Sequence, residues 1–282
     1  MMKEFKNGTY TGERSLFATK DAYFDKCLFK DGESPLKESG GLTLNHCTFR
    51  WKYPLWYCTD VLVENSIIEE TARSGIWYTK NITMNNCEIS SPKTFRRAEN
   101  VTLNGCDIIH AQETFWNCQK IKLNQVTAKG DYFGMNSSDI DITNLTLDGN
   151  YCFDGAKNIV IRNSTLHSKD SFWNSENVTV INSTIVGEYL AWNSKNLTFI
   201  NCTIESHQGL CYIQGLKLIN CKLVNTDLCF EYCSDINAEI VSHVESIKNP
   251  YSGKIVVDSV GELIMDEQYI NPKKTKIGVK GK

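Results

Sequence analysis

From Ala22 to the C-terminus the chain repeats a block of 19 to 21 residues. Aligned on Leu42, Val61, Ile82, Val101, Ile121, Ile140, Ile159, Val178, Leu197, Leu216, Ile236 and Ile255, each block runs through the same residue types. A second apolar residue follows at +2, Asn recurs at +4, Cys or Ser at +5, and an apolar residue at +7. A unit this short cannot bury its apolar side chains alone. It does so only when the next unit covers it, so the repeat predicts a coil-stacked solenoid.

The block from Val178 to Asn196 gives the expected course of one coil. Val178 and Val180 point inward and Thr179 outward, the period-two alternation of a strand. Asn182 turns the chain, Ser183 and Ile185 point inward on a second strand, and a loop containing Gly187 leads to a third strand, Leu190–Ser194. Three short strands per coil stack into three parallel sheets, and about 13 coils at roughly 4.8 Å each span about 60 Å. The expected layout is one domain: residues 1–21 a cap or partial coil, 22–270 the repeat coils, and 271–282 a basic tail.

This pattern resembles the single-stranded right-handed parallel β-helix of the pectin-lyase-like superfamily, an all-β fold, over nearly the whole chain. Pentapeptide repeats need an inward residue every five positions, which fails after Cys47, where Lys52 and Tyr57 follow. Left-handed β-helices need a hexapeptide period, and leucine-rich repeats give half of each unit to a helix. Gly187-Glu188-Tyr189-Leu190 and Gly209-Leu210-Cys211-Tyr212 resemble segments of an uncharacterised bacterial family of similar length, a likeness that implies the fold and no activity.

The columns remove three tempting motifs. Cys27, Cys47, Cys87, Cys106, Cys202 and Cys221 share one column with Ser66, Ser164 and Ser183. Interchange of Cys with Ser marks a small inward side chain, so the twelve cysteines are read as buried free thiols, not disulfides or zinc ligands. The Asn-x-Ser/Thr triplets fall at fixed repeat positions and are read as turn residues whose amides form a ladder along the solenoid. A net charge of −3 gives no basic field for nucleic acid, and no apolar run suits a membrane span. The N-terminus has no secretory h-region, which makes the cytoplasm the expected location.

Chemistry concentrates on one side of the coil. Trp56, Trp77, Trp116, Trp173 and Trp192 share a column with Arg96, Met135, Asp154, Cys211 and Glu231. The next column holds Tyr57, Tyr78, Arg97, Asn174 and Tyr212; the preceding one, with Phe115, Phe153, Phe172 and Phe230, is the natural inward one. Outward indoles beside amides and carboxylates suit sugar rings, which stack on aromatic faces and bond through their hydroxyls. Trp116, Trp173, Trp192, Asp154, Tyr189, Tyr212, Asp227 and Glu231 are the candidate binding residues. In the adjoining loops Asp131, Asp170 and Glu188 are acid/base candidates, with Lys169 and His207 in support.

Asp170 and Glu188 lie on successive coils and are expected about 5 Å apart if aligned, a spacing that suits paired glycosidase carboxylates. Asn225-Thr226-Asp227 matches a short element of polygalacturonase-like hydrolases, but the Asp-Asp, Gly-His-Gly and Arg-Ile-Lys elements expected after it are missing, so that activity is not carried over. No metal site or cofactor is implied. Two readings stand: a carbohydrate-binding or carbohydrate-active face, or a non-catalytic scaffold whose indoles meet an oligomer partner.

Overall fold

Each lead residue and its +2 neighbour lie in one strand and are buried together, as Ile82 with Met84 and Val101 with Leu103 show. The intervening threonines, such as Thr83 and Thr102, face outward. Parallel pairing puts every repeat in register, so like residues meet like. The computed structural model describes residues 2–280 and is a right-handed parallel β-helix, all-β, of roughly 15 turns. It divides into two compact units, 2–147 and 148–280.

In the first unit the strands Lys3–Lys6, Lys20–Asp25, Gly40–Asn45, Thr59–Glu64, Lys80–Asn85, Glu99–Asn104 and Gln119–Lys129 form one parallel sheet. Short strands such as Leu28–Phe29, Thr48–Phe49 and Ile67–Ile68 build the second side. Stacked phenylalanines fill the interior, with Phe29 over Phe49 at 4.8 Å and Phe95 over Phe115 at 4.6 Å. Each such ring contributes about 1.5–3 kcal/mol by leaving water.

The second unit repeats this through Lys157–Arg162, Glu176–Ile181, Lys195–Ile200, Gln214–Asp227, Ser234–Ile240, Gly253–Val257 and Thr275–Val279. Two coils beyond the expected 13 lie at the chain ends. Lys3–Lys6 pairs with the second coil, and Thr275–Val279 pairs with Gly253–Val257. The residues read as a basic tail are therefore a 3-10 turn, Pro272–Lys274, and this last strand; Lys282 lies outside the described residues. Ile255 is a +2 residue, not a lead: it pairs with Ala238, while Ile236 pairs with Gly253.

The third side of the coil differs from the expected strand. It is extended only at Ile76–Trp77 and Phe95–Arg96, and elsewhere it is a run of turns. Three alternate residues there are left-handed, for example Asp170 (φ 55°), Phe172 (φ 59°) and Asn174 (φ 53°). Residues in that region cannot continue a strand. They also turn their carbonyls out of the regular ladder, and side chains take over as donors.

The small inward column supplies the first set of donors. Ser175 Oγ donates to the Phe153 carbonyl at 2.7 Å, Ser194 Oγ to Phe172 at 2.6 Å, and the Cys233 thiol to Leu210 at 2.9 Å. Cys and Ser interchange because either can donate there. All twelve cysteines are free and buried. The Asn column is a ladder as well as a turn: Asn201 Nδ2 donates to Asn182 Oδ1 at 3.1 Å and Asn220 to Asn201 at 2.9 Å. Each of these asparagines is left-handed, with φ between 51° and 52°.

Candidate functional site

The tryptophans are the second set of donors. Each indole N–H reaches the carbonyl of the left-handed loop residue one coil later: Trp56 to Ser74 (2.5 Å), Trp77 to Lys93 (2.8 Å), Trp116 to Tyr132 (2.8 Å), Trp173 to Tyr189 (2.6 Å) and Trp192 to Gln208 (2.7 Å). This bond ties each ring to the next coil, and each of these indoles is half-buried. The faces then cover one another. Trp56 stacks on Trp77 at 5.2 Å and 8°, and Trp173 on Trp192 at 5.7 Å and 6°. Outward placement follows the sequence expectation, but a continuous platform of open ring faces does not form.

In the first unit Arg96 takes the place of an indole. Its guanidinium lies 4.7 Å from the Trp77 ring and 4.6 Å from the Trp116 ring, and it bonds Glu113 at 3.1 Å. Trp116 is thus covered by a cation on one side and meets Tyr132 edge-on. Asp131 also belongs to this unit, where its carbonyl accepts from the Glu113 N–H.

The other candidates lie in the second unit. Asp154 is the coil neighbour of Trp173, since the Gly155 N–H bonds the Trp173 carbonyl. Because a carboxylate replaces an indole there, Trp192 is the only ring that Trp173 touches among the described residues. Asp154 Oδ1 accepts from Asn174 Nδ2 at 2.9 Å.

Asp170 lies three residues before Trp173 and is 3 % exposed. Burial pushes its carboxyl above the usual carboxylate range; Lys169 opposes this, Glu188 adds to it, and a hydrogen bond from Tyr151 opposes it. Its Oδ1 is buried without a hydrogen-bond partner among the described residues. The expected alignment of Asp170 with Glu188 is off by one position. The Asp170 N–H bonds the Glu188 carbonyl, which puts Asp170 level with Tyr189 and Glu188 level with Lys169.

Glu188 is consequently spent on an ion pair, 3.3 Å from Lys169 Nζ. The same column continues with His207 Nδ1 at 2.7 Å from Asp227 Oδ1. Lys169, Glu188, His207 and Asp227 occupy one column along the loops and pair in succession. Glu231, expected at the surface, is 8 % exposed and held by Lys248 at 2.9 Å. Tyr189 meets Trp192 edge-on at 5.4 Å with Lys169 over its ring, and Tyr212 extends the aromatic trail from Trp192 through Tyr232 to Tyr251.

The structure thus brings Trp173, Asp154 and Asp170 into neighbouring positions, pairs Lys169 with Glu188 and His207 with Asp227, and leaves Glu231 to Lys248. A cleft of about 530 Å³ lined by Ser234, Tyr251, Glu267, Tyr269, Asn271 and Lys274 contains none of the candidates. Among the described residues no group of three His, Cys, Asp or Glu side chains could hold a metal ion. Among the described residues no helix is long and apolar enough to cross a membrane. Sequence reasoning missed Tyr151 as the partner of Asp170. The signal was present, because Tyr151, Asp170 and Tyr189 occupy one column.

Solved structures share the architecture at low identity. The surface adhesin PfbA of Streptococcus pneumoniae matches with a TM-score of 0.50 and 12% identity, over 82% of this chain and 85% of the adhesin. The A-module of the mannuronan C-5 epimerase AlgE4 of Azotobacter vinelandii gives 0.46 and 12%, over 99% and 90%. DFA-IIIase of Arthrobacter chlorophenolicus A6, without its lid, gives 0.33 and 11%, over 94% and 72%. The match to the adhesin, at 12% identity, speaks to the fold alone. No curated protein matches the sequence. Over residues 3–278 the chain matches, and therefore belongs to, the family described as "Protein of unknown function (DUF3737)".

Proposed function

We propose that this protein is a carbohydrate-binding β-helix whose saccharide seat is the open indole face of Trp173. The observation that carries the reading is the replacement of an indole by Asp154 at the neighbouring coil, which leaves that face without a stacking ring. A pyranose ring can lay its C–H face on the indole. Asp154 and Asn174, already bonded to each other, can turn their remaining lone pair and N–H to the sugar hydroxyls. Asp170, buried and with a raised carboxyl, is suited to deliver a proton to a glycosidic oxygen if the ligand is also processed. Glu188 is the adjoining carboxylate, tempered by Lys169.

Titration of a panel of neutral oligosaccharides, read by calorimetry and indole emission, tests this reading. Binding should be lost in Trp173→Ala and weakened in Asp154→Asn. Turnover, where present, should be lost in Asp170→Asn with binding retained. Binding that survives Trp173→Ala and Asp154→Asn together would overturn it.

A second reading, a non-catalytic scaffold, is favoured by one specific observation. Every tryptophan of the column spends its N–H on a loop carbonyl, so the column has a sufficient structural purpose. In that case no member of the panel binds, and Trp173→Ala lowers stability alone.

A further inference from the structure

The aromatic trail that leaves Trp192 ends in the cleft of about 530 Å³, and neither the trail nor the cleft uses the Trp173 seat. Three tyrosines follow one another on successive coils, with ring centroids 5.6 Å apart from Tyr212 to Tyr232 and 5.1 Å apart from Tyr232 to Tyr251. Their planes are tilted by 51° and 33°, whereas Trp173 and Trp192 lie 6° from parallel. Exposure alternates along the row: Tyr212 is 38 % exposed, Tyr232 is half-buried and Tyr251 is 43 % exposed. Two ridges therefore stand two coils apart, about 9.6 Å. The cleft sets a second wall against Tyr251, in which Tyr269 stands 62 % exposed beside Glu267, Gln268 and Asn271. That wall is pinned: the Asp266 N–H donates to Asn249 Oδ1 at 2.8 Å, Ile270 is buried, and Thr275 Oγ1 donates to the Pro250 carbonyl at 3.1 Å.

We infer that this strip and cleft dock a proline-rich peptide segment in the polyproline II conformation, with a basic residue at its flank. A polyproline II helix completes a turn every three residues, about 9.3 Å, close to the two-coil spacing of Tyr212 and Tyr251 (about 9.6 Å). Prolines three positions apart can thus sit on both ridges, as proline-rich segments do on aromatic-lined grooves. The chemistry of the cleft agrees. A run of prolines has carbonyls to satisfy and no N–H. Gln268, Asn271, Lys274 and the tyrosine hydroxyls are all donors. Asn271 Oδ1 already accepts from the Lys273 N–H at 3.1 Å, which leaves its amide nitrogen to the ligand. Glu267 lines the same cleft without an ion pair among the described residues and is the counter-charge for the basic flank. A pinned wall has little to lose in ordering when the peptide arrives. A single-stranded nucleic acid suits the cleft poorly, because its backbone needs a run of cations, and here Lys274 stands against Glu267. The inference goes beyond the saccharide reading, since it concerns other residues and another class of partner.

The test uses the full chain and a fluorescent peptide of ten prolines with an arginine at each end, read by polarisation. The comparison ligands are the same peptide with glycine for proline, the proline peptide with glutamate for arginine, and a thymidine decanucleotide. The proline peptide should bind. The glycine peptide, which keeps the charge and loses the stiff helix, should bind about tenfold more weakly or worse, because it must be ordered on docking. Tyr269→Ala should weaken binding about tenfold and Tyr251→Ala about fivefold, as removal of aromatic anchors does. Neither residue is left-handed, so alanine keeps the backbone, and an unchanged circular dichroism spectrum checks this. Glu267→Gln should cost about threefold, the scale of an exposed ion pair. Trp173→Ala should leave the binding unchanged and neutral oligosaccharides should not compete, which separates this site from the saccharide seat. Absence of binding by the proline peptide would sink the inference. So would equal binding of any comparison ligand, or full affinity in any of the Tyr269, Tyr251 and Glu267 variants.

Discussion

The indole N–H of Trp192 donates to the carbonyl of Gln208 at 2.7 Å, and Gln208 is left-handed with φ 44°. A left-handed residue turns its carbonyl away from the regular rung-to-rung ladder, and the indole satisfies it. Trp192→Phe keeps the ring stack on Trp173 and removes only the donor. An orphaned carbonyl costs about 1–3 kcal/mol. Urea unfolding should show a loss in that range with an unchanged m-value; a neutral substitution would mean that water takes the place of the indole.

Asp170 is a carboxyl that the fold holds at a disadvantage. Burial raises its folded-state pKa above the unfolded value of about 3.9. The stability that the bound proton contributes is complete below the unfolded pKa and is lost as pH rises through the folded pKa. At pH 7 the ionised group is therefore a net cost. Asp170→Asn should be at least as stable as the wild type at pH 7, and its advantage should shrink as the pH is lowered toward 4. A variant less stable than the wild type at pH 7 would show that the carboxylate is structural.

How far the sequence could be read depended on which contacts a column position alone determines. Inward and outward faces follow from period-two alternation, so Val178, Val180 and their equivalents were legible. So was the Asn ladder, because a residue that tolerates the left-handed region recurred at one position. The third side was not, since three alternating left-handed residues there include phenylalanines that have no such preference. The charged members of the Trp column argued for an outward direction without fixing it, and the ring orientation was not legible, because it is set by a carbonyl one coil later. The Asp170–Glu188 alignment failed by one residue for the same reason: loop register is fixed by hydrogen bonds, here Asp170 N–H to Glu188, that leave no mark on composition. The first coil keeps the turn asparagine, Asn7, but has a lysine at its lead position and no Cys or Ser after the turn, and Thr275–Val279 lacks both the Asn and the Cys columns, so neither was read as a full coil.

The buried thiols should be chemically silent. Burial pushes Cys58, Cys118 and Cys152 up to about 12, against about 8.5 for a free thiol. At pH 8 a disulfide reagent should leave these three unlabelled in the native protein and label all twelve cysteines in denaturant. The stability linked to these groups is intact below the unfolded value and is lost as pH rises from about 8.5 toward 12, because unfolded thiols ionise first. Rapid native labelling at pH 8 would show that the coils open locally.

Asn182 combines two contributions that substitution can separate. Its backbone is left-handed at φ 51° and its amide bridges Asn163 and Asn201 at 3.4 and 3.1 Å. Asn182→Gly keeps the backbone preference and loses the ladder, whereas Asn182→Ala loses both. Thermal unfolding should rank wild type, then Gly, then Ala, with Ala about 1–2 kcal/mol below Gly. Equal losses would mean that the backbone preference adds nothing and the ladder is the whole effect.

Arg96 gives a test of the column logic in the opposite direction. Its guanidinium lies between Trp77 and Trp116 where an indole would stand, and its Nε is buried without a partner among the described residues. Two cation–π contacts of about 0.5–2 kcal/mol each offset that unpaired donor. Arg96→Lys keeps the charge and gives up the planar stack, so a loss of about 1–2 kcal/mol is expected. Arg96→Trp restores the residue type of the column: the ring can stack between its neighbours, and its N–H falls opposite the carbonyl of Glu113, the left-handed residue one coil later. Chemical unfolding should place Arg96→Trp within about 1 kcal/mol of the wild type and above Arg96→Lys, the ordinary range for a well-accommodated substitution. The reverse order would mean that the charge paired with Glu113, and not the stack, holds the column together.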